Sequence, residues 1–155
     1  VQAQLYDAIQ HRAFAPEMRR LGFEPNGRLR TSLRNMIVAR SFEGSPNDFG
    51  KAIILAKTFL EFGIGSELTS LRRWYAEEGW TGALELGDKA IDVLAPIHAA
   101  PRAHVTQFLM ALRALGVDVT LDRYDTADFG AHRQIRAVVV HRQRRGRAPV
   151  LSYIR

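Results

Sequence analysis

The stretch SPNDFGKAIILAKTFLEF, residues 45–62, decides how this chain folds. Ser45-Pro46-Asn47-Asp48 reads as a capping-box-like helix start, with serine as N-cap, proline at the first helical position and aspartate reaching back. Behind it, Phe49, Ala52, Ile53, Ile54, Leu55, Ala56, Phe59, Leu60 and Phe62 point nearly all round a helix. A surface helix keeps one face polar, so a helix apolar on almost every side must be surrounded by others. The expectation is a helical bundle built around 49–62. Its most apolar part, Ala52 to Leu60, is interrupted by Lys57 and is far too short to span a bilayer.

Upstream, Leu5, Ile9 and Ala13 mark an amphipathic helix from Gln2 to Ala13, followed by a short turn from Glu17 to Leu21. Gly22 and Pro25-Asn26-Gly27 stop it. Leu29, Leu33, Met36 and Ile37 share one face of a helix over 28–42, with Arg30 and Arg34 one turn apart at its border. Downstream, Gly63-Ile64-Gly65 ends the central helix and Ser66 caps the next. There Leu68, Leu71, Trp74 and Tyr75 face inward, and Arg72, Arg73, Glu77 and Glu78 stay in water. A fifth helix is expected over 84–97, and a sixth from Pro101, with Val105, Phe108, Leu109, Leu112 and Leu115 at helical spacing before Gly116.

Beyond Gly116 the period falls from about 3.6 to 2. Val117, Val119 and Leu121 alternate with polar residues, as do the residues around Ile135 to His141, and Val150 to Ile154 supplies a third short run. Tyr124 to Ala131 reads as a loop. The fold class expected is α+β: an N-terminal bundle of five or six helices, then a small antiparallel sheet of two or three strands. At 155 residues this is one domain, helical over 1–116 and a basic β-hairpin over 117–155, and it reads as a piece of a longer protein.

Charge is placed unevenly. Residues 1–45 hold seven arginines against four acids, 46–100 five bases against eight acids, and 101–155 ten arginines against four acids. Residues 131–155 carry seven arginines and no acid. Two helices joined across 96–101, then strands with an arginine-rich tip, are laid out like a winged helix-turn-helix. On that pattern the partner is nucleic acid, DNA or RNA, with phosphates met by Arg102, Arg113, Arg133, Arg136, Arg142, Arg144, Arg145 and Arg147. His104, Thr106 and Gln107 would lie on the same exposed side of the last helix. The bland account is compositional: arginine outnumbers lysine nineteen to three, as a GC-rich coding sequence produces without any function.

Two other classes stay open. A protein-interaction or scaffold domain is expected if Arg30, Arg34 and the hairpin arginines scatter or pair with the acids of the middle segment. A small metal-independent ribonuclease would use His132 or His141 as base, with Arg133, Arg136, Tyr124 and Tyr153 nearby. Against enzymes generally, no cysteine, Walker lysine, HExxH or GxSxG occurs, and Gly63-x-Gly65 lacks the rest of a dinucleotide fingerprint. His98 and His104 straddle a helix break with no defined metal geometry. No cofactor is called for. The lack of cysteine is compatible with a reducing compartment, and the cytoplasm is the expected location.

Overall fold

The structure, a computed structural model, describes the backbone of residues 2–24, 26–42, 44, 46–97, 101–129, 132–141 and 150–154. Side chains are described for 5–24, 26–42, 44, 46–97 and 103–119. Six helices follow in order: α1 (Gln2–Arg20), α2 (Gly27–Ala39), α3 (Asp48–Phe62), α4 (Ser66–Glu77), α5 (Thr81–Leu94) and α6 (Pro101–Ala114). The all-round apolar sequence of α3 puts it at the centre, packed against α1, α4 and α5, while α6 closes the ring between α5 and α1. Ala52, Ile53, Leu55, Ala56, Phe59 and Leu60 of α3 are buried with Leu5, Leu71, Tyr75, Leu94 and Leu112 of its neighbours. Each such leucine or phenylalanine removed from water stabilises the fold by about 1.5–3 kcal/mol.

Several boundaries differ from those expected. Helix α1 runs unbroken through Pro16, which forfeits one backbone bond without ending the helix, and Ala15 just before it is buried. The cap of α3 is Asn47, whose Oδ1 accepts from the Gly50 N–H at 3.0 Å; Ser45 lies outside the described residues. Gly65 precedes α4, and the Ser66 hydroxyl donates to Glu67 instead of capping. Helix α5 starts and ends three residues earlier than its apolar pattern implies. Its last carbonyls are met from outside: Arg12 donates to Leu94 and Ala95 at 2.6 and 3.1 Å, and Gln107 to Val93 and Pro96 at 3.1 and 2.7 Å.

The α+β expectation is corrected. Among the described residues of 2–118 the packed body is all-helical, six helices with no strand or sheet among them. Extended backbone follows as β1 (Val119–Phe129), β2 (His132–His141) and β3 (Val150–Ile154), paired antiparallel in that order. The described hydrophobic core is formed by the six helices. Val119, at the start of β1, joins the hydrophobic cluster, and β1 lies against α6. A sheet belongs to a fold when a face of it is buried against helices. Here the helices close their core on one another, because the apolar face of α6 is taken by α1 and α5.

The winged-helix layout is corrected for the same reason. A reading helix must leave a polar face free for a groove. His104 and Gln107 of α6 are instead buried, and its exposed side carries Thr106, Met110 and Arg113. The expected loop 124–131 is extended through Phe129, with a register irregularity between Leu121 and Arg123.

Candidate interaction surface

The arginines of the helical body are mostly engaged by the protein itself. Glu67, in the first turn of α4, is 7 % exposed. Its Oε1 meets Arg34 Nη2 at 2.8 Å and Arg30 Nε at 3.5 Å, and its Oε2 accepts from the Ser66 hydroxyl at 3.0 Å. Burial alone would raise this carboxyl. The bonds from its own backbone N–H, Ser66 and Arg34, with the Arg30 charge, outweigh that and hold it below the ordinary glutamate value. Arg30 also lies over the Phe62 ring, 5.2 Å from its centre. Thus α2 is tied to α4 by one carboxylate between two guanidinium groups.

Other arginines are used likewise. Arg40, in left-handed conformation at φ 48° after α2, pairs with Glu77 and Glu78, and Arg72 pairs with Asp88. Arg20 pairs with Glu17, and Arg12, besides capping α5, lies 4.8 Å from the centre of the Phe59 ring. Acids and carbonyls of this chain therefore take up much of the basic charge that composition suggests for a polyanion.

Of the eight phosphate-contact candidates, four fall where the backbone is described. Arg113 donates through Nε to the Val119 carbonyl at 3.1 Å, securing the exit from α6. The register sets Arg133 opposite Asp128 and Arg136 opposite Asp125, and directly opposed residues on antiparallel strands are neighbours on one face. Arg102 is placed on α6 by its backbone alone. Arg142, Arg144, Arg145 and Arg147 lie outside the described residues. The ribonuclease pair is separated, since His132 and His141 stand at opposite ends of β2, about 30 Å apart at strand rise. Among the described residues no group of three His, Asp or Glu could hold a metal ion. None of the described helices is long and apolar enough to cross a membrane.

What the structure does present is a groove between α2 and α3. The contacts of α2 run chiefly to α4, and its apolar face is only half covered: Leu33 is buried, and Leu29, Met36 and Ile37 are half-buried. The resulting space is about 840 Å³, with Met36, Phe42, Ile53 and Ile54 as apolar walls and Arg28 and Lys57 among its polar ones. A narrower extension reaches Leu29, Glu61 and Phe62, where Glu61 is buried and paired with His11 at 3.5 Å. Phe42, which also walls the groove, stacks on Trp74 at 4.6 Å, so its edge is fixed by the Trp74, Tyr75 and Trp80 cluster behind it.

Sequence reasoning missed this groove because it assigned the α2 apolar face to the core. The signal present was Lys57, the charge that interrupts an otherwise apolar helix on the stripe of Gly50 and Ile54. A second apolar surface is the α1 stripe of Phe14, Met18 and Leu21, continued by Phe23 and exposed throughout. Comparison with known protein families, with curated proteins and with solved structures finds no match for this chain.

Proposed function

We propose that this chain is a protein-interaction module that seats an apolar segment of another protein in the α2/α3 groove. The groove itself carries the reading: about 840 Å³ of open space with apolar walls, in a body whose arginines are largely spent on its own carboxylates and carbonyls. Recognition of this kind lays the apolar face of a helix into a hydrophobic groove, with anchors at positions i, i+3 or i+4, and i+7. The cysteine-free sequence suits work in a reducing compartment such as the cytoplasm.

The test is selection of binders from a random peptide library against the whole chain, followed by anisotropy titration. Ala39 lines the groove at the exposed end of α2, and Ala39→Trp fills it. Selected peptides should carry helically spaced apolar residues and lose at least about tenfold in affinity on that change, about 1.4 kcal/mol, with thermal stability kept. Binding that ignores Ala39→Trp but falls with Phe14→Glu and Met18→Glu would move the docking surface to α1. Duplex DNA or RNA bound in a salt-sensitive way, and lost with Arg144, Arg145 and Arg147 changed to alanine, would instead make nucleic acid the partner.

A further inference from the structure

We infer that the occupant of the α2/α3 groove is an acidic amphipathic helix, one whose apolar stripe is flanked on both sides by carboxylates. This rests on the docking reading above and adds the chemistry of the partner.

The argument is charge complementarity. Arg28 belongs to the α2 wall and Lys57 to the α3 wall, so the groove has a cation on each side of its apolar floor. Among the described residues no carboxylate lines the main groove. Among the described residues neither Arg28 nor Lys57 forms an ion pair, whereas Arg30 and Arg34 of the same helix are both turned to Glu67. The one acid in the narrow extension, Glu61, is already buried against His11. An occupant that buried the apolar walls would strip water from both cations, and a basic or neutral one would leave them uncompensated. Carboxylates beside the apolar stripe supply partners for Arg28 and Lys57 and meet no like charge among the described residues of the main groove. The same feature selects against basic helices, which is how an otherwise permissive apolar groove acquires discrimination.

The experiment uses the whole chain and three labelled helical peptides of about 18 residues, identical in their leucine stripe and flanked by glutamate, glutamine or lysine. The glutamate peptide should bind at least about tenfold more tightly than the lysine peptide at low salt, and the gap should narrow as salt is raised. Arg28→Glu with Lys57→Glu should invert that order; Arg144, Arg145 and Arg147 changed to alanine should leave it intact. Should the folding of the double reversal be compromised, Arg28→Gln with Lys57→Gln should erase the preference without inverting it. An order that survives both groove variants, or that disappears with the hairpin variant, overturns the inference. Equal affinities that still fall with Ala39→Trp overturn the acidic preference alone and leave the docking surface standing. Failure of all three peptides to bind overturns both.

Discussion

Glu67 shows how one side chain decides where charge goes. It is buried, it meets two arginines, and its carboxyl is held below the usual range, so its charged form is favoured by folding. A group depressed in the folded state contributes stability that is fully present above its unfolded value and is lost as pH falls through the folded one. The window therefore opens near the ordinary glutamate value of 4.5 and extends downward. Arg30 and Arg34 are themselves partly exposed and can return to water, which limits the loss when the carboxylate is removed. Glu67→Gln should cost about 1–2 kcal/mol in urea unfolding at pH 7, with the difference from the parent shrinking as pH falls through that window. A difference that stays constant from pH 7 to pH 3 would mean that the carboxylate charge does not hold α2. Tyr75 belongs to the same scale. Its hydroxyl donates to the Lys51 carbonyl at 3.1 Å, and burial pushes its ionisation upward, so it acts as a packed hydrogen-bond donor.

At the scale of elements, the closest helix pair is α3 with α5, and Gly87 makes it possible. A Cβ placed on Gly87 would stand 2.6 Å from Leu55 Cδ2, 3.2 Å from its Cβ and 3.3 Å from its Cγ. The Cδ2 contact could be relieved by a rotamer change. The Cβ contact requires the helices to separate. In an exposed helix, glycine to alanine gains about 1 kcal/mol from propensity alone, whereas overpacking a dense core costs about 1–3 kcal/mol. Gly87→Ala should therefore lose about 1 kcal/mol net, against Gly27→Ala, at an open position of α2, which should be neutral or slightly stabilising. Chemical unfolding of the two variants side by side checks the sign. A gain at Gly87 equal to that at Gly27 would mean that α3 and α5 sit further apart than described. The same scale explains the early end of α5, where Arg12 and Gln107 reach across from α1 and α6 to its terminal carbonyls. Side chains that satisfy a helix end from neighbouring elements replace the continuation that local propensity would favour.

The whole molecule is a helical body with an extended tail of strands. The described core runs continuously from Leu5 to Val119 through all six helices, and the body should hold together without the ladder. A chain ended after Val119, which keeps the Arg113 bond to the Val119 carbonyl, should unfold cooperatively and within about 2 kcal/mol of the full length. Calorimetry with far-ultraviolet circular dichroism decides this; a broad, non-cooperative transition in the shortened chain would show that the strands hold the helices together. At this scale the uneven charge also changes meaning. The acids of the middle segment, Glu67, Glu77, Glu78 and Asp88, pair with Arg30, Arg34, Arg40 and Arg72, so the contrast between basic ends and acidic middle is in part an internal ion-pair pattern.

The residues by themselves determined the six helices and the place of α3. Helical periodicity is a local property, and a helix apolar on every side has no stable position except the centre. They also made the inward faces of α4 and α6 legible, through Leu68, Leu71, Trp74, Tyr75 and the run from Val105 to Leu115. Only the tertiary structure decided which neighbour covers each face. It tied Arg34 to a glutamate 33 positions away, buried His104 and Gln107 where spacing implied exposure, and left the α2 face half open where spacing implied core. It also showed a described core that is helical, in place of the α+β layering that the alternation suggested. Alternation marks a segment able to bury one face, but whether that face enters a core depends on a partner surface, which is a property of the tertiary structure.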